Sequence, residues 1–183
     1  MMVTIVGIDP GLAATGIGIV RGCGQSIAQY SFGDITTCKS DCLPKRLHDI
    51  FSKLLGILQD DTPDLMVVED IFSLKEYPRS GITLGKVTGA VLLAGYQAQV
   101  PAAEIPVREA KQVLTGNGNC SKAQLERVVR RALGHREPIR PSHASDALGL
   151  ALLGLFRFSC GAQTTSRFFR KRSSPGRTDD TRA

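Results

Sequence analysis

Short apolar runs of strand length open the chain. Residues 3–8, 15–20 and 26–33 are rich in residues that favour β-structure, and turns containing glycine separate them. Strands joined by such short turns pair most simply as an antiparallel meander. The segment 43–59 then carries apolar residues at helical spacing, which predicts an amphipathic helix. Its apolar positions are Leu43, Leu47, Ile50, Leu54 and Leu58.

The rest of the chain alternates between strand-like and helix-like patterns. PDLMVVED (63–70) is a continuous apolar run, typical of a central strand that is covered on both faces. The pattern predicts a brief strand over AAEI and a capping box between Ser121 and Gln124. Helices are predicted over 80–100, 106–116, 121–133 and from 141 onward. This order is typical of the α/β class, with a mixed sheet covered by helices.

Length and composition fit one domain followed by a basic tail. The chain has 183 residues, of which 42% are hydrophobic, and this is enough to fill one core. We expect the domain to span residues 1–158 and the tail, residues 159–183, to be disordered. The net charge is +6, and residues 164–183 alone carry six basic and two acidic side chains. Such a tail either adds affinity for phosphate groups or only improves solubility.

Nothing in the sequence indicates secretion or insertion into a membrane. No apolar run reaches the length of a membrane span, and the N-terminus lacks the order of a signal peptide. The five cysteines form no CxxC pair and show no spacing typical of zinc ligands. We therefore expect free thiols in a cytoplasmic protein.

Two predicted strands end on a carboxylate. Asp9 closes the first strand, and Glu69 closes the run LMVVE. If these strands are neighbours in the centre of the sheet, the two side chains emerge side by side. Two such carboxylates repel each other and lose hydration, so a positive charge is needed to compensate.

A third acid lies near the start of the last predicted helix. Asp146 follows His143 by one turn, so both side chains face the same way, in a first turn where the helix dipole favours negative charge. Taken alone, Asp146 is a helix-start acid and His143 a surface histidine. With Asp9 and Glu69 they form an oxygen-rich set that suits Mg²⁺ or Mn²⁺. Two such ions can cleave a phosphodiester, which in a basic chain indicates a nuclease; hydrolysis of small phosphates is an alternative.

Four separated motifs resemble those of the bacterial RuvC-type Holliday-junction resolvases. They are GIDPGLAATG, PDLMVVEDIF, AKQVLTGNGNCSKAQLE and SHASDALGLAL, in the order and approximate spacing of that family from about residue 3 to residue 156. The resemblance implies a ribonuclease-H-like fold, with a five-stranded mixed sheet flanked by helices. It also implies a homodimer that makes paired symmetric nicks in four-way DNA junctions. The family uses two Mg²⁺ ions per active site, for which Mn²⁺ can substitute, and leaves 5′-phosphate and 3′-hydroxyl ends.

The resemblance also implies roles for individual residues. Asp9, Glu69 and Asp146 match three catalytic acids that bind the metal ions, and His143 falls where the family carries either Asp or His. As a fourth member of the set, His143 would bind a metal ion or position the attacking water.

Five residues are expected to bind DNA. Lys111 and Lys122 match basic positions beside the active site, and Phe72 matches an aromatic residue near the junction centre. Arg79 and Lys86 lie where the sequence departs from the family, with Tyr77-Pro78-Arg79 and GKVTG in place of the usual residues. Each has a simpler interpretation, as part of a solvated helix face or, for Phe72, as a core residue.

The partners and the competing functions follow from the same motifs. Gly85 and Gly89 lie four apart on one predicted helix, and small residues at this spacing permit close helix contact, either within the core or across a dimer interface, for which this helix is our candidate. The resemblance implies a role in homologous recombination and DNA repair at the nucleoid, together with the branch-migration helicase. One alternative is a junction-binding module without catalysis, which the three acids disfavour. Another is an actin-like ATPase, suggested by GIDPG, although that fold needs two such domains.

Overall fold

A computed structural model describes residues 1–70 and 78–159, without the side chains of 78, 79, 158 and 159. Strands and helices follow the predicted order; the first three strands and the first helix are longer than predicted, whereas most of the later elements are slightly shorter. The elements are β1 (Val3–Asp9), β2 (Ala14–Cys23), β3 (Ser26–Thr36), α1 (Leu43–Asp61), β4 (Leu65–Glu69), α2 (Pro78–Gln97), β5 (Ala102–Ile105), α3 (Val107–Thr115), α4 (Lys122–Ala132) and α5 (Ser142–Ser159).

The strands form one five-stranded sheet in the order β3-β2-β1-β4-β5. β1, β2 and β3 are antiparallel neighbours, whereas β1, β4 and β5 run parallel. This confirms the predicted mixed sheet and the initial meander. β1 lies at the centre because it pairs with the meander on one side and with the buried strand β4 on the other.

Two hydrophobic layers cover the sheet because side chains alternate along each strand. Val6 and Ile8 of β1 pack with Met66 of β4 against α1 and α2. Ile5 of β1 and Val67 of β4 point to the opposite face, where α3, α4 and α5 pack. Asp9 and Glu69 continue this second series, and they therefore end on the α5 side of the sheet.

α5 lies unusually close to the sheet because glycines of β1 and β2 leave room for it. A Cβ at Gly7 would overlap the Ala147 carbonyl group, and one at Gly16 would overlap the His143 backbone. At Gly18 a Cβ would lie 2.5 Å from the Leu148 nitrogen. The helix is buried from residue 144 to residue 155, so its first turns are held rigidly over the ends of β1 and β2.

Asp64 fixes the start of β4 against β1. Its backbone N–H donates to the Thr4 carbonyl at 2.8 Å, and its side chain accepts the Thr4 N–H at 2.8 Å. These reciprocal bonds set the register in which Ile8 lies opposite Val68.

The predicted capping box begins α4. The Ser121 hydroxyl accepts the Gln124 N–H at 3.2 Å, and the Ser121 N–H donates to the Gln124 side chain at 2.8 Å.

None of the helices in the described ranges is long and apolar enough to span a membrane. The predicted C-terminal tail lies outside the described residues, so its boundary stays a prediction.

Candidate active site

Two carboxylates meet at the carboxyl ends of the central parallel strands. Ile8 and Val68 are register partners, so the next residues, Asp9 and Glu69, leave the sheet side by side on the same face. The two side chains lie close enough for Asp9 to raise the pKa of Glu69, and Asp9 is only 8% exposed. The predicted meeting of these two strand ends is confirmed.

The start of α5 brings His143 and Asp146 to the same place. His143 Nδ1 lies 2.7 Å from an Asp9 carboxylate oxygen. Asp146 accepts a hydrogen bond from Lys122 Nζ at 2.7 Å and is 4% exposed. The expected position in the first turn is wrong for Asp146, because α5 begins at Ser142 and has no acid in its first turn. The helix dipole therefore contributes little at Asp146, and Lys122 supplies the compensating charge instead.

The electrostatics of the site show how costly this arrangement of acids is. Burial raises the pKa of Glu69 to about 8, and the hydrogen bond and negative charge of Asp9 and the charge of Asp146 act in the same direction. The hydrogen bond to Asp146 raises the pKa of Lys122, although loss of hydration opposes this. The site therefore places three acids beside Lys122, and Glu69 holds a proton more readily than a free carboxyl group does.

These residues fit a divalent cation by their chemistry. Asp146 Oδ1 is buried and accepts no hydrogen bond in the described part of the chain. Its lone pairs are therefore available to bind a cation. Carboxylate oxygens and one imidazole are donors that Mg²⁺ and Mn²⁺ accept. As the side chains lie, no three His, Cys, Asp or Glu residues within 1–70 and 78–159 are grouped closely enough to bind a metal ion. Lys122 bonds to an oxygen of Asp146, and His143 contacts an oxygen of Asp9. A bound cation would use these same carboxylate oxygens.

Asp9 and Glu69 line a cleft of about 910 Å³ together with His143 and Lys122. The first turns of α3 form part of its wall. The lining is completed by Pro10, Asp70, Leu84, Pro106, Val107, Arg108, Glu109 and Gln112. A ligand in this cleft therefore contacts both the acids and α3.

The DNA-binding residues expected from sequence fall into three groups. Lys122 lies in the cleft beside the acids, as described above. Lys111 is half-buried on α3 and is not among the residues that line the cleft, and Lys86 is exposed on α2. Phe72 and the Arg79 side chain lie outside the described residues. For these residues, DNA binding stays a prediction.

Sequence reasoning missed two residues of the cleft wall. Arg108 and Gln112 lie one turn apart on α3, and both line the cleft. Their spacing of four was a usable signal, because residues i and i+4 share a helix face. The position of Lys111 alone does not indicate which face of α3 points towards the acids.

Comparisons with known proteins bear on this site. The family model for the crossover junction endodeoxyribonuclease RuvC matches residues 5–153. A RuvC from Carboxydothermus hydrogenoformans is 35% identical over 153 residues, covering 84% of this chain and 96% of the relative. A RuvC from Photorhabdus laumondii is 36% identical over 152 residues, covering 82% and 86%.

Solved structures show the same architecture. Thermus thermophilus RuvC superimposes with a TM-score of 0.75 at 29% identity, covering 87% of this chain and 97% of that one. The same protein in complex with Holliday junction substrate gives a TM-score of 0.78 at 30% identity, covering 86% and 96%. The yeast mitochondrial Holliday junction resolvase Ydc2, at 13% identity and a TM-score of 0.57, shares the fold. The fold is thus the expected ribonuclease-H-like one, and the chain belongs to the crossover junction endodeoxyribonuclease RuvC family.

Proposed function

We propose that this protein is a crossover junction endodeoxyribonuclease, which resolves four-way DNA junctions in recombination and repair by nicking two strands symmetrically. One observation carries the proposal: Asp9 and Glu69, from distant parts of the chain, line one cleft with His143 and Lys122, and Asp146 bonds to Lys122 beside them. A solved relative at 30% identity binds Holliday junction substrate, which supports the same substrate class here.

Asp9, Glu69, Asp146 and His143 would hold the metal ions, which we propose to be two Mg²⁺ ions, with Mn²⁺ as a substitute. When bound, such ions activate water and stabilise the leaving oxygen of a phosphodiester. The residues of the chain do the rest. Lys122 Nζ, beside the acids, binds a phosphate oxygen and offsets negative charge. Because His143 Nδ1 contacts Asp9, Nε2 is the ring nitrogen left to bind a metal ion or to accept a proton from water.

A homodimer supplies the two sites that paired nicks require. Gly85 and Gly89 are exposed on α2, and a Cβ at either position would meet nothing within 4 Å. Ile82, Leu93 and Tyr96 on the same helix are exposed by 62%, 56% and 76%. Large apolar side chains beside small residues favour burial against a second copy of the helix. Leu93→Glu should convert a dimer to a monomer in light scattering, whereas Gln25→Glu, in the exposed turn between β2 and β3, should not.

The finer parts of the proposal rest on the resemblance. They are DNA contacts by Lys111, Lys86, Arg79 and Phe72, action at the nucleoid in the cytoplasm, and cooperation with the branch-migration helicase.

A nicking assay on a synthetic four-way junction tests the activity. We expect symmetric nicks with Mg²⁺, none with EDTA, and 5′-phosphate and 3′-hydroxyl ends. Asp9→Asn should bind the junction without cutting it, because it keeps the shape of the side chain and removes a charged ligand. Junction binding without cleavage by the wild type would favour the non-catalytic module. ATP turnover without cleavage would favour the ATPase.

A further inference from the structure

Arg108 is a cation that lines the active-site cleft. It lies in the first turn of α3, is exposed, and lines the same cleft as Asp9, Glu69 and Lys122. Within the described part of the chain, its guanidinium group has no hydrogen bond or ion pair. Lys122, by contrast, is bonded to Asp146. Arg108 is therefore free to bind an anion that enters the cleft.

The nearest acid along the chain is engaged elsewhere. Glu109 accepts a hydrogen bond from Arg157 of α5 at 2.6 Å. This pair keeps the Glu109 carboxylate from folding back onto Arg108, and it neutralises a charge that would otherwise repel a phosphate. Asp70, a further acid of the cleft lining, forms no ion pair with Arg108 either.

The direction of the Arg108 side chain is set by a neighbouring turn. A Cβ at Gly118 would lie 3.0 Å from Arg108 Cγ, 3.1 Å from its carbonyl oxygen and 3.4 Å from Nε, so a larger residue there would require Arg108 to shift by a few tenths of an ångström. Gln112 holds this turn in place. Its amide donates to the Gly116 carbonyl at 2.9 Å and accepts the Gly118 N–H at 2.9 Å. Arg108 therefore lies along a turn that the chain itself holds in place before any ligand binds.

We propose that Arg108 binds a backbone phosphate of the DNA strand that occupies the cleft, and that Gly118 and Gln112 act as positioning residues for it. This inference rests on the proposed function and deepens it. The planar guanidinium group suits two oxygens of one phosphate, and a contact of this kind positions the strand without reading its sequence.

Equilibrium binding of a four-way junction in EDTA tests the proposal without involving cleavage. The variants are Arg108→Gln and a control, Arg21→Gln, which removes the same charge. Arg21 is exposed on β2, and its register partner is Thr4, whereas Gly16 is the partner of Asp9. The five-residue offset along the strand places it about 17 Å from the acids. Loss of one phosphate contact should reduce the slope of log affinity against log salt by about 0.9, and the affinity by about eightfold at 0.1 M salt.

Replacement of single phosphates by neutral methylphosphonates around the cut identifies the contact. At one position, the replacement should weaken the wild type by the same factor as Arg108→Gln and leave Arg108→Gln itself unaffected. Gly118→Ala keeps the charge but displaces the side chain, so it should weaken binding in the wild type and have no further effect in Arg108→Gln.

Equal affinities and salt slopes for wild type, Arg108→Gln and Arg21→Gln would overturn the inference, while Mg²⁺-dependent cleavage by the same wild type would leave the proposed function standing. Additive losses from Gly118→Ala and Arg108→Gln would refute the positioning role. A wild type that neither prefers nor cleaves junctions would overturn both proposals.

Discussion

Glu69 allows the charge imbalance of the site to be measured as stability. Its pKa is about 8 in the folded chain, against 4.5 when it is free of its neighbours. Between these values the folded state holds a proton that the unfolded state has lost, so the free energy of unfolding falls as the pH rises. The slope is about 1.4 kcal/mol per pH unit. Allowing for partial exposure of the side chain, the raised pKa of Glu69 lowers the free energy of unfolding by about 2–3 kcal/mol at pH 7.

Glu69→Gln should remove this cost. In EDTA we expect the variant to be more stable than the wild type by about 2–3 kcal/mol at pH 7 and equal to it only well below pH 4.5, where Glu69 is protonated in both states. Urea unfolding at a series of pH values measures the difference, in which contributions of other groups cancel. Glu104→Gln is the matched control, because Glu104 is an exposed acid on the neighbouring strand, opposite Val68. It should follow the wild type at every pH.

Addition of Mg²⁺ extends the experiment to the proposed ligands. A cation that binds only the folded state should stabilise the wild type most at high pH and have much less effect on Glu69→Gln. A Glu69→Gln protein that is less stable than the wild type at pH 7, or that keeps the pH slope of the wild type, would refute the electrostatic reasoning.

Three further outcomes follow from the contacts of the site. Gly16→Ala should destabilise the fold by about 1–3 kcal/mol and reduce cleavage, because the new Cβ displaces the His143 backbone. Gly33→Ala, which has open space around the new atom, should change neither stability nor cleavage in matched unfolding and nicking assays. Lys122→Met should lower the free energy of unfolding by about 1–3 kcal/mol in EDTA, since it leaves the buried Asp146 without its cation. Asp146→Asn in the same chain should restore most of that loss; an undiminished loss would argue against the pair. His143→Ala should slow nicking about a hundredfold, while His143→Asp, which retains a polar group, should keep most of the rate; a wild-type rate in His143→Ala would exclude a role for this position.

Most of the fold was predictable because its periodicities are strong. The continuous run LMVVE indicated a strand covered on both faces, and β4 is the central neighbour of β1. The position of two acids at the ends of such strands was enough to predict that Asp9 and Glu69 would meet. Element ends were less predictable: β2 and β3 extend beyond their apolar runs because each strand continues to pair with its neighbour.

The counter-charges of the site were not predictable from local pattern. Lys122 reaches Asp146 because Leu125 and Val129 bury one side of α4 in the same layer as α5. Arg108 depends in the same way on the docking of α3 and on the conformation of a distant glycine. Such contacts join residues that have no common periodicity, so they emerge only when the helices are packed.

The reciprocal bonds between Asp64 and Thr4 have a consequence for how this protein can vary. Inserting one residue between Asp64 and Glu69 would move each later side chain of the strand to the opposite face of the sheet. The Glu69 carboxylate would then point towards α1 and α2, and a valine would lie beside Asp9. Length changes in the connection from α1 to β4 have no such effect, because the bonds between Asp64 and Thr4 fix the register of β4 whatever the length of the preceding loop. We therefore expect chain-length differences among related enzymes to accumulate before Asp64 and to be absent from the five residues that follow it.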